Sequence, residues 1–414
     1  MTQKTTLANG IVVITTENST ADIIAGRLFF RAGSCWEPQE QAGLSHLLAA
    51  VMMKGTQNLS ALEIAEKVES IGASLGTDAA TDYFLVFLKS VTKDFLPLLQ
   101  LAAEIVRSPS FPEAQIELER RLILQQISQA QEQPMTVAFE ALRQILYQDH
   151  PYAASGLGTK ETVTALNRAD LEYFHQAYLR PDNLIVSISG NITHPQVLEL
   201  VEQVFGAWQA PPIPMPEMVW QPIKHQPQER VIHQDTKQAI VMLGYPAASV
   251  YEPAYTALKL LSAYLGNGLS SRLFVELREK QGLAYEVSAL YPTRVDTSAF
   301  VVYLGTAPAN QSIALEGLRA EVDRLSTTTL TREEVQKIKN KVLGQHALGK
   351  QTNAQLAQTP GYYEAIGLGI DFDQKFIQDI NRVTAADLQA AAQQYLQTPY
   401  VAIVSPNIVS PNND

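Results

Sequence analysis

The chain has almost no cysteine: Cys35 is the only one among 414 residues. One thiol excludes an intramolecular disulfide and a multi-cysteine metal site, and it fits a reducing compartment. Long apolar runs are also missing. No stretch approaches the ~20 residues of a membrane helix, although 46% of the residues are hydrophobic, ample for packed cores in two or more domains. Residues 1–10 are polar, turn at Asn9-Gly10, and lack the basic-then-apolar order of a secretory signal. A cytoplasmic location is therefore expected. Cations are scarce as well: 31 Lys and Arg stand against 42 Asp and Glu, a net charge of −11. That balance argues against nucleic acid and against an anionic membrane as partners. There is no G-x-S-x-G, no P-loop and no dinucleotide fingerprint. The seven histidines include no pair at i, i+3 or i, i+4, so no helix offers a two-histidine grip on zinc. Cys35, beside Trp36, has no local histidine to activate it.

Proline is plentiful in one place. Pro211, Pro212, Pro214, Pro216, Pro222 and Pro227 fall between Trp208 and Gln228. Such density disfavours helix and central strand and predicts an extended linker over 209–228. The segments on either side repeat a pattern. Asp170-Leu171, Tyr178-Leu179 and the apolar run 184–188 match Asp387-Leu388, Tyr395-Leu396 and the run 400–404. Asn167-Arg168 pairs with Asn381-Arg382, and a helix over 112–129 pairs with one over 331–349. Each half opens on alternating strands, 11–16 with 25–30 and 230–233 with 239–244. Each then adds a strand pair, 73–77 with 83–89 and 285–290 with 298–304. The expected fold is a duplicated α/β (layered α+β) unit, each copy a mostly antiparallel sheet packed with helices. The expected division is 1–208, linker 209–228, and 229–414.

Residues 43–56, Gly-Leu-Ser-His-Leu-Leu-Ala-Ala-Val-Met-Met-Lys-Gly-Thr, predict one helix running into a tight turn. This segment resembles the signature of the M16 (pitrilysin-like, insulinase-like) zinc peptidases, whose active members carry H-x-x-E-H there. In that motif two histidines one turn apart hold zinc, and the glutamate is general base to the metal-bound water. Here the positions read His46, Ala49 and Ala50. A methyl group has no lone pair, so this face cannot chelate a catalytic zinc. The family's third ligand is a glutamate in a segment like E-R-x-x-x-x-x-E-I. The matching stretch, Glu119 to Ile127, puts Gln126 at that place, and a neutral amide is a poor zinc ligand. His46, Ala49, Ala50 and Gln126 thus form a degenerate zinc site, and no metal or other cofactor is expected in this chain.

The second half is closer to the family pattern. Residues 266–285, Gly-Asn-Gly-Leu-Ser-Ser-Arg-Leu-Phe-Val-Glu-Leu-Arg-Glu-Lys-Gln-Gly-Leu-Ala-Tyr, resemble the M16 segment S-S-R-L-F-x-x-L-R-E-x-x-G-L-A-Y. The resemblance places Arg278 and Tyr285 as the arginine and tyrosine that act on substrate at a zinc held elsewhere. The local physics suits it. Ser270 and Ser271 can cap a helix whose apolar face carries Leu273, Phe274 and Leu277, and Gly282 fits its end. Arg278 would then offer fixed charged donors to a carbonyl, and Tyr285 a phenolic donor to the oxyanion. Gly266 and Gly268 form a short loop expected to meet peptide backbone. Spacing alone favours the plainer explanation, an arginine that binds carboxylates or carbonyls at a helix end and a core tyrosine with a wet hydroxyl; the surrounding segment turns the balance to a functional pair.

The resemblance implies two homologous domains facing like a clamshell. It also implies the non-catalytic subunit of a heterodimeric subfamily-B endopeptidase, inactive alone, whose zinc-bearing partner subunit completes peptide hydrolysis. The expected substrate is a peptide or unfolded polypeptide added as a strand at a sheet edge. The alternative is a peptidase-derived scaffold or peptide-binding module with no part in catalysis.

Overall fold

The structure is a computed structural model that describes residues 2–407. Met1 and residues 408–414, which the sequence-based division places in the two halves, lie outside it. In chain order the strands are β1 (Thr2–Thr6), β2 (Val12–Glu17), β3 (Ile23–Phe30), β4 (Ser74–Ala79), β5 (Phe84–Val91), β6 (Leu184–Gly190), β7 (Glu229–His233), β8 (Ala239–Ala247), β9 (Glu286–Leu290), β10 (Ser298–Thr306) and β11 (Tyr400–Ser405). The helices are α1 (Leu44–Met52), α2 (Ala61–Glu69), α3 (Phe95–Arg107), α4 (Glu113–Gln131), α5 (Pro134–Tyr147), α6 (Lys160–Ala165), α7 (Arg168–Tyr178) and α8 (His194–Phe205). They continue with α9 (Tyr255–Gly266), α10 (Gln311–Thr327), α11 (Arg332–Leu348), α12 (Asn353–Ala365), α13 (Phe372–Arg382) and α14 (Ala385–Tyr395). A π-helix covers Phe274–Lys280.

Two sheets form, ordered β1-β2-β6-β3-β5-β4 and β7-β11-β8-β10-β9. Without β1 the two orders are the same topology: first, last, second, fourth and third strand of each half. In both, the first strand pairs in parallel with the last, β2 with β6 and β7 with β11. The remaining pairs are antiparallel. The expected mostly antiparallel, duplicated architecture is thus observed. The helix N-caps correct one detail of the repeat. Asn167 caps α7 with Asp170 closing the box, and Thr384 caps α14 with Asp387. The counterpart of Asn167 is therefore Thr384, while Asn381-Arg382 ends the preceding helix. Strand β1 was not anticipated. It is a polar edge strand, exposed or half-buried throughout, so no apolar alternation marks it.

The chain forms two compact units that interleave along the sequence. One comprises Met1–Ile127, Ala154–Val219 and Ala347–Gln374; the other, Ser128–Ala153, Trp220–His346 and Lys375–Asp414. In the first, alternate residues of β3 face opposite ways. Leu28 and Phe30 join a core with α1, α3, α7 and α8. Phe29 faces the other side, with Ile14, Leu85, Ile185 and Ala365 of α12. Helix α12 is fastened there by Ser187 Oγ donating to the Ala357 carbonyl (2.7 Å) and by Arg31 Nε donating to that of Ala365 (3.0 Å). In the second unit α5 covers one sheet face, with Leu142 against Gly244 and Phe139 edge-on to Tyr303. The neighbouring Phe300 turns to Tyr291, which contacts Tyr255 of α9. Residues 209–228 carry no helix or strand.

Candidate functional site

Helix α1 starts at Gly43, whose φ of +97° is a left-handed conformation suited to glycine. The buried Glu37 caps it from outside. Its carboxylate accepts from the Gly43 N–H (2.7 Å), the Ser45 N–H (2.7 Å) and the Ser45 hydroxyl. Burial pushes the Glu37 carboxyl up to about 7, against the opposing pull of these donors. His46 sits half-buried in the first turn of α1. Gln126, exposed on α4, hydrogen-bonds its ring. Burial holds the imidazole below its ordinary value, with that hydrogen bond, Asp78 and Glu119 pulling the other way. Ala49 is buried and Ala50 half-buried, and the Ala49 carbonyl accepts from Thr77 Oγ1 of β4 at 2.6 Å. Glu119 is neutralised by Lys54 at 2.8 Å. Among the described residues no cluster of three or more His, Cys, Asp or Glu could hold a metal ion. His46 and Gln126 thus lie beside one another, and an imidazole, a neutral amide and two methyl groups are a donor set that does not fit zinc.

Arg278 and Tyr285 lie in the second unit. The segment 272–280 widens into the π-helix instead of the α-helix the sequence predicts. Its closure is correspondingly wide. The Leu283 N–H donates to the Leu277 carbonyl (2.9 Å), and inside that loop the Gly282 N–H donates to Arg278 (3.1 Å). Gly282 makes the bend at φ +65°. The chain is then tied to β10. Thr306 Oγ1 donates to the Leu283 carbonyl (2.6 Å), and the Tyr285 N–H donates to that of Gly305 (2.8 Å). Both backbones are therefore held while both side chains point out. Arg278 is exposed, with its guanidinium 4.9 Å from the Phe274 ring centroid. Tyr285 is 63% exposed. Among the described residues neither side chain has a hydrogen-bond partner in the protein, which leaves their donors available.

The other residues of this segment have distinct surroundings. Gly266 ends α9 against β9, where a Cβ would lie 1.7 Å from the Ala289 amide nitrogen, so the close approach itself requires glycine. Gly268, at φ +88°, lies in the open loop. Ser271 accepts the Val275 N–H on its carbonyl, in the capping position. Its hydroxyl is buried without a partner, so the expected side-chain cap is not made. Cys35 is buried, and its thiol donates to the Asp82 carboxylate at 4.0 Å.

The sequence profile described as "Insulinase (Peptidase family M16)" matches residues 12–160, and that described as "Peptidase M16 inactive domain" matches residues 165–342. The chain belongs to the M16 peptidase family. Similar M16-length relatives include an uncharacterized zinc protease of Rickettsia bellii, 26% identical over 98% of this chain and 97% of its own length. Another, from Bacillus subtilis, is 26% identical over 98% of this chain and 99% of that protein. Among solved structures, a peptidase M16 inactive domain from Pseudomonas fluorescens superposes with a TM-score of 0.92 at 23% identity, covering 98% of each chain. A protease from Helicobacter pylori gives 0.92 at 22%, covering 98% of this chain and all of that one (100%). At these identities the structures establish the M16 fold. No helix among the described residues is long and apolar enough to cross a membrane.

Sequence reasoning missed Glu37 and the π-helix of this M16 chain. Glu37 acts through space, six residues before the helix terminus it caps. The wide turn has no residue signature beyond Gly282.

Proposed function

We propose that this chain is the non-catalytic subunit of a subfamily-B zinc endopeptidase, and that Arg278 and Tyr285 serve a zinc held by a partner subunit. The carrying observation is the contrast between two sites. The metal face is filled by Ala49, Ala50 and Gln126, whereas the Arg278 and Tyr285 side chains are exposed and unengaged on an anchored backbone. A guanidinium and a phenol are donors without being nucleophiles. They polarise a peptide carbonyl and stabilise its oxyanion, while the attacking water and its base must come from another molecule. The substrate is an unfolded polypeptide, which adds to a sheet edge through its backbone and so needs little side-chain recognition. The zinc-bearing M16 subunit is the expected partner, and isolated chain is inactive.

The test uses three samples on a fluorogenic unstructured peptide: this chain, a zinc-bearing M16 chain from the same genome, and their mixture. Cleavage by the mixture alone supports the subunit reading. Cleavage by the zinc chain undiminished without this one returns the protein to a scaffold role. Metal-dependent cleavage by this chain alone removes both readings.

A further inference from the structure

The π-helix that carries Arg278 is braced by side chains that the substrate would never reach. Arg272, two residues before it, donates through Nε to Glu321 Oε2 (2.7 Å) and through Nη2 to Glu321 Oε1 (3.3 Å) on α10. Its Nη1 lies 2.9 Å from Glu276 Oε1, one turn along. These side chains are 23% (Arg272), 16% (Glu276) and 13% (Glu321) exposed, so the network is shielded beyond the ordinary surface ion pair. The apolar face is fitted as closely. Leu277 is fully buried, and its Cδ2 stands 2.9 Å from where a Cβ on Gly317 of α10 would lie. Helix α10 therefore holds the segment at two points, a two-pronged ion pair and a glycine slot. Arg278, the residue after Leu277, is exposed.

We infer that Arg272 and Glu321 are positioning residues that set the direction of Arg278, an inference that rests on the function proposed above. A π-helix widens the turn and relies on tertiary contacts to persist. Arginine is required at 272 because one planar fork spans two carboxylates. Lysine keeps the charge but cannot make a two-pronged contact with Glu321 while also reaching Glu276. Without that fork Glu321 loses its two-pronged partner, Glu276 keeps only Lys280 (2.9 Å) on its own segment, and the segment relaxes toward a narrower helix that rotates Arg278 away.

The test compares wild type with Arg272→Lys, Glu321→Gln and Gly317→Ala, each mixed with the zinc-bearing subunit. Misdirection predicts that kcat falls about tenfold with KM changed less than about twofold. Amide hydrogen exchange over residues 274–285 accelerates while the rest of the chain and the Tm hold. Glu321→Asp, which keeps the charge, recovers part of the rate. Unchanged kcat with unchanged exchange over 274–285 overturns the inference, as does a loss that tracks global unfolding. An Arg278→Ala control separates the two claims. If that variant leaves the mixture's turnover intact, the functional reading fails, and exchange over 274–285 still decides whether Arg272 and Glu321 hold the segment.

Discussion

Ala49 and Ala50 are good helix formers and carry no metal donor, so α1 keeps its shape without its chemistry. Gln126 of α4 acts on the His46 ring, so these two positions lie beside one another. Restoring the donors should then restore the site. The triple variant Ala49→Glu, Ala50→His, Gln126→Glu is expected to bind one zinc per chain, read by titration calorimetry and metal analysis, while wild type binds none. Failure of a folded triple variant to take zinc would mean that α1 and α4 have moved apart since the ligands were lost. Arg278 and Tyr285 make the opposite case. Both are exposed and make no hydrogen bond among the described residues, so Arg278→Ala and Tyr285→Phe should change stability by less than about 0.5 kcal/mol. If they aim at a developing oxyanion, each costs the mixture about 100-fold in kcat, roughly 3 kcal/mol. A large loss of rate with no loss of Tm is the signature to seek. These residues were legible in the sequence because their motif is contiguous. Arg272 was visible in the same motif, but its partner Glu321 is 49 residues away and reveals its role only through the fold.

At the scale of elements, the strands other than β1 were legible from apolar alternation or, in β6 and β11, from continuous apolar runs, and the duplication was legible from their recurrence. What a helix packs against was not. A helix encodes an apolar face and leaves its partner unstated, so α5 and α12 gave no sign of the sheets they cover. The entrance to α1 was hidden for a similar reason, since Glu37 meets Gly43 and Ser45 only after the chain has turned. That cap gives a pH prediction. Glu37 has a folded value near 7, above the ordinary carboxylate value of 4.5. Its protonated form is thus favoured by folding, and its contribution is complete below about 4.5 and lost as pH rises through about 7. Urea midpoints measured from pH 4.5 to 8 should therefore include a decline that Glu37→Gln removes. A variant that retains the full decline would assign it to other groups.

At the scale of the molecule, the compact units do not coincide with the halves of the duplication. The expected cut, 1–208 and 229–414 around the proline-rich 209–228, follows the repeat. Packing follows another line, because α5 of the first half belongs with the second sheet and α12 of the second half with the first. The α12 contacts are extensive. Besides the bonds from Ser187 and Arg31, Asn353 donates to the Ile23 carbonyl at 2.8 Å, and Gly361 leaves room for the Phe29 ring, where a Cβ would come within 2.4 Å. Without α12 the apolar face of β3 that includes Phe29 would meet water, and each large side chain so exposed costs about 2 kcal/mol. Helix α5 gives its sheet the same cover through Leu142 and Phe139. Arg180 holds the Pro211 and Ile213 carbonyls (3.3 and 2.8 Å), but the exchanged helices predict that the covalent link through 209–228 is not needed once the chain has folded. A protease site introduced among the exposed prolines, between Pro211 and Pro214, should allow complete cleavage while the two fragments stay together on gel filtration. They should separate only in denaturant. Fragments 1–208 and 229–414 made alone should each be unstable and recover structure when mixed, followed by circular dichroism. Independent folding of either fragment, or spontaneous separation after the cut, would show that the exchanged helices are accessories to cores that stand without them.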